Sequence, residues 1–269
     1  MTQVMTQVMN PPAARSMALA VRSLWQRELV RFLRDRPRVT GSLLQPILFW
    51  LLFSGALHGS FKPGGQDYGA YFFAGTLAMI ALFTAIFSTI TVIEDRKEGF
   101  LQGVLVAPVP RRAIALGKIL GGATLGWGLG LLFLLLGPLA GVSYSVGAGI
   151  ATALVLLLVC VSVTGLGFAM AWLMDSTAGY HGLMMVFLMP MLLLSGAFFP
   201  MQDAHPLLAW IRWIDPMTYG VGALRHALYG EAPGIPGLGV CLLGTVAFAA
   251  LTFAAGTWVV TRRSARDAN

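Results

Sequence analysis

Six long apolar segments constrain this chain more than any other feature of its sequence. We place them at residues 40–57, 68–93, 113–139, 146–174, 182–199 and 237–261. About 20 consecutive apolar residues cross the hydrocarbon core of a bilayer, where every backbone polar group must be hydrogen-bonded within the segment. The segments are apolar on all sides, which excludes the alternating pattern of a transmembrane barrel. The sequence therefore predicts an all-α polytopic membrane protein with six transmembrane helices.

The composition agrees with this prediction. Only 11% of the residues are charged and the mean hydropathy is +0.76, whereas about 25% of the residues of a soluble domain are charged. Both cysteines, Cys160 and Cys241, fall inside apolar segments, so they predict neither a disulfide framework nor a metal site. The four histidines are scattered and predict no metal site either.

The basic residues predict the orientation of the chain. Fifteen of the eighteen Lys and Arg lie in an N-terminal arm (1–39), in residues 94–118 and in a C-terminal tail (262–269), and the other three are Lys62, Arg212 and Arg225. Short loops rich in Lys and Arg stay in the cytoplasm, so we expect both termini to be cytoplasmic. The net charge of +7 is then explained by topology and lipid headgroups, and no nucleic-acid partner is expected.

The N-terminal arm predicts an interfacial helix over residues 16–36. Its apolar residues recur near helical spacing, and most of its arginines lie elsewhere on the helical wheel, as in helices that lie in the headgroup plane. Glu28 falls within the apolar stripe. Two interpretations remain open, which are a lipid anchor and a contact with a protein partner through Glu28.

One stretch between the second and third segments is strongly charged. The sequence "EDRKEGFLQGVLVAPVPRRAIALGK" covers residues 94–118. It opens with the charged residues Glu94, Asp95, Arg96, Lys97 and Glu98 and continues through Gly99 to the apolar residues Phe100, Leu101, Val104 and Leu105. Prolines then end the short helix that this pattern predicts. We expect this loop (94–112) to dock into a groove of a soluble partner; the alternative is a plain solvated connection.

The segment 200–236 is too interrupted by prolines to span the membrane. Its apolar and aromatic residues predict two short half-buried helices, at about 206–214 and 217–229, on the outer side. Charge near a membrane usually has a partner or water. We therefore expect the two helices to form a re-entrant outer gate before the last span, held by an Asp215–Arg225 pair, with Pro216, Tyr219 and His226 beside it.

Three motifs resemble those of type-2 ABC exporter permeases, a group that exports drugs, polysaccharides and nodulation factors. The first is the 94–118 stretch, in which Ala107 stands where threonine or serine is common. The others are "LSGAFFP" (194–200) and "DPMTYGVGALR" (215–225), in which Asp215 and Met217 replace the usual asparagine and leucine. The resemblance covers nearly the whole chain and does not specify a substrate.

The resemblance implies a division of labour between subunits. Two copies of an ABC ATPase would pair with this chain and a second copy or a paralogue of it, in a bacterial inner membrane. Residues 94–107 would form the coupling helix, with the arm beside it. This chain has no G-x-x-x-x-G-K-[ST] phosphate-binding loop, so we expect no bound cofactor here, with ATP and Mg on the partner subunit, and no catalytic activity of its own.

Alternative functions outside this family are an ion-coupled carrier and a membrane scaffold. A carrier normally places carboxylates or other polar ligands within its spans. We expect no charge deep in any span, with Lys118 near the cytoplasmic end and able to extend to the interface. A scaffold would leave the predicted docking loop unexplained. An uncharged transport path suits an amphipathic, lipid-linked, polysaccharide or drug-like substrate.

Overall fold

The computed structural model of the protein describes residues 13–59, 61–107, 109–201, 205–230 and 234–266. Within these ranges the regular structure is helical and contains no strand. The α-helices are α1 (Ala13–Arg34), α2 (Arg36–Leu57), α3 (Tyr68–Thr89), α4 (Thr91–Lys97), α5 (Phe100–Val106), α6 (Arg111–Leu135), α7 (Val146–Leu173), α8 (Thr177–Leu194), α9 (Pro206–Ile214), α10 (Pro216–Tyr229) and α11 (Leu238–Arg266). Parts of the predicted arm (1–12), outer segment (202–204 and 231–233) and tail (267–269) lie outside the described residues.

Six helical segments are long and apolar enough to cross a membrane, which confirms the predicted fold class. They are Arg36–Leu57, Tyr68–Lys97, Arg111–Leu135, Val146–Leu173, Thr177–Leu194 and Leu238–Arg262. The short helices α9 and α10 lie between the fifth and sixth spans, close to their predicted bounds.

Local capping interactions explain why some predicted boundaries were wrong. The first span begins four residues early because the Asp35 side chain accepts a hydrogen bond from the backbone N of Arg38 (3.3 Å) and caps α2. The fifth span was predicted at 182–199 but starts at Thr177, where the Ser176 hydroxyl accepts from the backbone N of Gly179 (3.2 Å). It ends at Leu194, two residues before Gly196, whose φ of +79° cannot continue a helix.

Helix α3 forms the centre of the bundle. Nearly all of its side chains are buried, among them Tyr68, Phe72 and Phe73. By contrast, α2, α8 and α11 expose large apolar side chains, which suits helices that face lipid or another membrane chain.

The two ends of the bundle carry different elements. At the first end, which we call the terminal end, Arg111 Nη1 donates to the backbone O of Thr261 (3.3 Å), so the last turns of α11 lie beside the start of α6. Helices α1, α4 and α5 are at this same end. At the other end, the far end, Tyr229 of α10 donates to the backbone O of Ala70 (2.6 Å) at the start of α3.

Candidate functional site

Three fully buried charged side chains meet at the terminal end. Lys118 Nζ of α6 lies 2.7 Å from Glu28 Oε1 of α1 and 2.6 Å from Asp95 Oδ2 of α4. Each of the three residues is at most 4% exposed. The Thr91 hydroxyl donates to the other oxygen of Glu28 (2.8 Å). The buried carboxylates are therefore neutralised and hydrogen-bonded, as burial of charge requires.

Glycines let α1 approach α6 closely enough to form this buried cluster. A Cβ atom on Gly117 would lie 2.6 Å from Leu24 Cβ, and one on Gly121 would lie 2.8 Å from Glu28 Cβ. Both distances are too short for any larger residue without a shift of α1. The sequence "GKILGG" (117–122) therefore combines the buried amine with the small residues that α1 requires.

Half-buried arginines extend the cluster toward α5. Arg27 Nη2 pairs with Asp95 Oδ1 (2.6 Å), and Arg31 also contacts this oxygen. Arg31 Nη2 reaches Glu94 Oε2 (2.9 Å), and Arg38 pairs with the other oxygen of Glu94. These contacts join α1 and the start of α2 to α4, the helix that precedes α5.

Other charged residues of the loop also have partners within the chain. Glu98 Oε1 lies 3.3 Å from Arg31 Nη2. Arg96 donates to the carboxylate of Asp175 (2.7 Å) and to the backbone O of Trp172 (2.7 Å), which ties α4 to the region after α7. Lys97 is exposed.

These contacts correct three expectations. Glu28, considered a residue that might meet a partner, is buried against Lys118 and Thr91. Lys118, expected to extend to the interface, is held inside the bundle by Glu28 and Asp95. Asp95, expected to face a partner, is 0% exposed. Sequence reasoning missed these pairings because their members are separated by 23 to 90 residues.

Helix α5 turns its larger apolar residues toward the bundle. Gly99 adopts a left-handed conformation (φ +78°) that starts α5 in a new direction. Leu101 is buried, and the Phe100 ring lies under the Arg27 guanidinium, 3.6 Å from its centre. Val104 and Leu105 also pack against the core. The apolar face that the sequence predicted for docking is therefore turned inward.

The outward face of α5 consists of other residues. Gln102, Gly103 and Val106 are exposed, and Val106 is 87% exposed. Their spacing places them on one side of the helix. A Cβ atom on Gly103 would meet nothing within 4 Å, so this face is flat, open and free of charge.

At the far end, Asp215 and Arg225 do not form the expected pair. Asp215 Oδ1 caps α10 by accepting from the backbone N of Met217 (2.9 Å), and its Oδ2 is buried without a hydrogen-bond partner. Arg225 Nη2 donates instead to the backbone O of Gly196 (2.7 Å). The two side chains are separated because Asp215 caps the start of α10, whereas Arg225 lies in the third turn of that helix.

Arg225 clamps the turn after α8 onto α3. Its guanidinium stacks on the Tyr71 ring, 3.7 Å from the ring centre, and the Tyr71 hydroxyl donates to the same Gly196 oxygen (2.8 Å). The Tyr68 hydroxyl donates to the backbone O of Phe198 (2.9 Å). A Cβ atom on Gly75 would lie 2.3 Å from the backbone O of Ala197. These contacts hold the turn close to α3.

The remaining residues of the predicted gate have local roles. Pro216 occupies the first turn of α10, where its missing N–H is tolerated. The Tyr219 hydroxyl donates to the backbone O of Trp213 (2.8 Å). His226 Nε2 lies 2.8 Å from the backbone O of Pro236. The structure thus brings α8, α9, α10 and the start of α11 together without an ion pair between Asp215 and Arg225.

The buried carboxyl group of Asp215 should make the stability of the protein depend on pH. Burial raises the pKa of its carboxyl group to about 7, so the native state holds a proton that the unfolded state releases from about pH 4 upward. The free energy of unfolding should therefore fall as the pH rises from about 4 to 7 and then stay level.

The variant Asp215→Asn tests this dependence because its amide does not titrate. Its free energy of unfolding should match that of the wild type near pH 4 and exceed it by a few kcal/mol, on the order of 3, at pH 8. Thermal unfolding of both proteins in detergent at these two pH values checks this, and a difference that is constant with pH would contradict it.

Within the described residues, no group of three or more His, Cys, Asp or Glu is placed to hold a metal ion. The features that stand out are the charged cluster beneath α5, the uncharged outward face of α5 and the Arg225 clamp at the far end.

Comparisons with known proteins give one family model and several relatives. A family model described as "ABC-2 type transporter" matches residues 20–229. The chain is 26% identical over 245 residues to "Inner membrane transport permease YadH" of Escherichia coli, which covers 86% of this chain and 91% of that protein. It is 26% identical over 225 residues to "Nodulation protein J" of Neorhizobium galegae, covering 78% of this chain and 81% of that protein. It is also 27% identical over 184 residues to "Linearmycin resistance permease protein LnrN" of Bacillus subtilis, covering 68% of this chain and 47% of that protein.

Proposed function

This chain belongs to the ABC-2 type transporter family and is a membrane permease of that family, and we propose that it is the membrane-spanning subunit of an ATP-driven exporter. In this proposal, ATP and Mg bind to two copies of a separate ATPase, and a second permease copy or a paralogue completes the transport path. The absence of a phosphate-binding loop from the sequence supports the placement of ATP hydrolysis on another chain.

The observation that carries the proposal is the position of α5. Its outward face of Gln102, Gly103 and Val106 is uncharged and open. Its inward face packs against the bundle, because the Phe100 ring stacks against the Arg27 guanidinium and the Leu101 side chain is buried. A short helix that packs against the bundle on one side and exposes an uncharged face with the apolar Val106 on the other suits a groove-binding contact. We therefore propose that this outward face docks into the ATPase.

The charged residues around α5 have a different role in this proposal from the one expected from the sequence. Glu94, Asp95 and Glu98 are paired with arginines of α1, and Glu94 also with Arg38 of α2, so they fix the direction of α5 instead of contacting the partner. A push on α5 would then move α1, α4 and α6 together, because the buried Lys118 links all three.

The buried carboxylates do not favour an ion-coupled carrier. Glu28 and Asp95 are both satisfied by Lys118, Thr91 and arginines, and α1 covers them. A coupling-ion site needs ligands that are free to bind and release an ion, and these two carboxylates are already engaged.

The substrate class is part of this proposal. We propose export of an amphipathic, lipid-linked, polysaccharide or drug-like molecule across a bacterial inner membrane. The name of one relative, a linearmycin resistance permease, supports the drug-like part of this range, and the name of another, an inner membrane transport permease, supports the location. The turn that Arg225 clamps onto α3 lies at the far end and would open for release.

The proposed orientation predicts a labelling pattern. The terminal end carries most of the basic residues, so it should face the cytoplasm. A cysteine introduced at the exposed residue Gln66 should react with an impermeant thiol reagent added to intact cells, and one at the exposed Lys97 should react only after lysis. Both native cysteines are buried, which keeps the background low. Labelling at position 97 but not at position 66 in intact cells would show that the terminal end faces the outside of the cell.

Co-purification tests the function itself. The tagged chain, purified in mild detergent from its native host, should bring with it a soluble subunit that contains a phosphate-binding loop and hydrolyses ATP. ATP hydrolysis should disappear when the catalytic glutamate or lysine of that subunit is replaced, while the complex stays intact. A permease that transports its substrate without any associated ATPase would contradict the proposal.

A further inference from the structure

Helix α1 has a second apolar stripe that does not contact the rest of the chain. Leu24 and Phe32 are buried against the bundle, whereas Leu19, Val30 and Leu33 are 55%, 48% and 60% exposed. At 3.6 residues per turn the three exposed side chains fall within about 60° of each other. The outer face of α1 therefore carries a stripe of three exposed apolar side chains, with the exposed amide of Gln26 between them, and the stripe lacks a partner within the described residues.

Arginines border this stripe on both sides. Arg22 and Arg34 are exposed, one on each side of the three apolar residues, and Arg36 follows as the first residue of α2. They differ from Arg27, Arg31 and Arg38, which are paired with acidic residues of the cluster. The nearby Asp35 carboxylate is engaged by Arg38 (2.7 Å). Two positive charges thus flank the outer face of α1 and a third follows at the start of α2, which favours an anionic partner.

The contacts of α1 with α6 set its depth. Trp25 Nε1 donates to the Thr124 hydroxyl (3.1 Å), and Leu24 packs against Gly117. Gly117 and Thr124 follow the start of α6 at Arg111 by 6 and 13 residues, which corresponds to about 9 and 20 Å along the helix. Because α6 is long and apolar enough to span a membrane with its 25 residues, α1 packs beside about the first half of a span, at the terminal end of the bundle.

An open groove runs along one face of α2, the helix that follows α1 in the chain, and all of its lining residues belong to α2. It has a volume of about 350 Å³ and is lined by Thr40, Leu44, Gln45, Leu48, Phe49 and Leu52. Arg36 precedes Thr40 by one turn, on the row of residues that continues through Leu44 and Leu48 to Leu52. From Thr40 to Leu52 the groove extends for about 18 Å, roughly the length of an acyl chain. A basic residue is thus followed by an apolar groove.

We infer that the outer face of α1 and the adjoining groove of α2 bind anionic phospholipids of the leaflet at the terminal end. Arg22, Arg34 and Arg36 hold the headgroup phosphates, Leu19, Val30 and Leu33 lie at the headgroup–acyl boundary, and the α2 groove takes an acyl chain. Basic residues beside an apolar helix face are the pattern by which proteins bind anionic leaflets. In the orientation proposed above this is the cytoplasmic leaflet.

The inferred lipid site and the charged cluster lie on opposite sides of α1. Glu28, on the opposite side of α1, contacts Lys118, and Arg27 and Arg31 on its flank contact Asp95. Anionic lipid on the outer face therefore holds the helix that positions α4 and α5. The site requires neither the ATPase nor a substrate, so it can be tested on the permease alone.

Fluorescence quenching by brominated lipid tests this inference. Val30→Cys is labelled with a small fluorophore, since both native cysteines are buried, and the full chain is reconstituted in phosphatidylcholine vesicles. Brominated phosphatidylglycerol should reach half-maximal quenching at a roughly tenfold lower mole fraction than brominated phosphatidylcholine, because each basic residue near the surface adds favourable energy for an anionic lipid. The variant Arg22→Gln/Arg34→Gln should remove this difference.

A matched variant controls for the loss of charge. Lys62→Gln/Arg112→Gln removes two exposed basic residues elsewhere and should retain the preference for phosphatidylglycerol. Equal quenching by both lipids in the protein with native arginines would overturn the inference in favour of a bilayer contact without charge selection. Absence of quenching by either lipid would also overturn it and would assign this face of α1 to water or to another protein chain.

Discussion

Lys118→Met is expected to lower the free energy of unfolding by about 3–5 kcal/mol, the range seen when one partner of a buried ion pair is removed. Lys118 is the buried cation that contacts both Glu28 and Asp95. Asp95 keeps Arg27 and Arg31 as partners in this variant. Glu28 keeps the Thr91 hydroxyl and a longer contact with Arg27 (3.4 Å), so most of the penalty arises at Glu28.

A second substitution identifies the source of this penalty. Lys118→Met/Glu28→Gln removes the stranded charge and should regain more than half of the lost stability, because replacement of a whole buried pair by uncharged groups is often close to neutral. Lys62→Met, at an exposed lysine, serves as the matched control and should change stability by less than about 0.5 kcal/mol. Chemical unfolding in mixed micelles measures all three variants. A Lys118→Met protein as stable as the Lys62→Met protein would contradict the role of this cluster.

Val106→Asp is expected to abolish coupling to the ATPase, with at least a tenfold loss of transport. Val106 is 87% exposed on the outward face of α5, so aspartate is tolerated in the isolated permease. In a docked complex the same carboxylate would be buried in an apolar contact without a partner, which costs several kcal/mol. Each 1.4 kcal/mol corresponds to a tenfold change in affinity.

The control for this variant is Val146→Asp. Val146 is 82% exposed at the start of α7, where the positive end of the helix dipole favours an acidic side chain. It should retain transport and ATPase binding. Transport assays in cells and co-purification with the ATPase measure both variants, and equal loss in both would show that the effect of Val106→Asp is not specific to α5.

The six spans and the short helices α9 and α10 were predictable from the sequence because their signals are local. Long apolar runs define spans, and prolines such as Pro206 and Pro216 mark where short helices begin. The predicted starts of the first and fifth spans were wrong because a single side chain caps the helix there, Asp35 in the first and Ser176 in the fifth.

The partners of the charged residues were not predictable in the same way. Glu28 is 90 residues from Lys118 in the sequence, and Arg225 is 29 residues from Gly196. A single sequence shows that a buried charge needs a partner but does not show which residue supplies it. The inward turn of Phe100 and Leu101 depends on the left-handed conformation of Gly99 and on Arg27, both of which are tertiary features. The sequence therefore predicted the docking loop but assigned its inward face to the partner.

Site-directed crosslinking tests the proposed docking face most directly. A single cysteine at position 106, and in a parallel protein at position 146, is treated with a short thiol-to-amine crosslinker in the assembled complex; Cys160 and Cys241 are buried. Position 106 should crosslink to the ATPase subunit and position 146 should not, since the two lie at opposite ends of the bundle. An intact complex in which position 106 gives no crosslink to the ATPase would contradict docking through the outward face of α5.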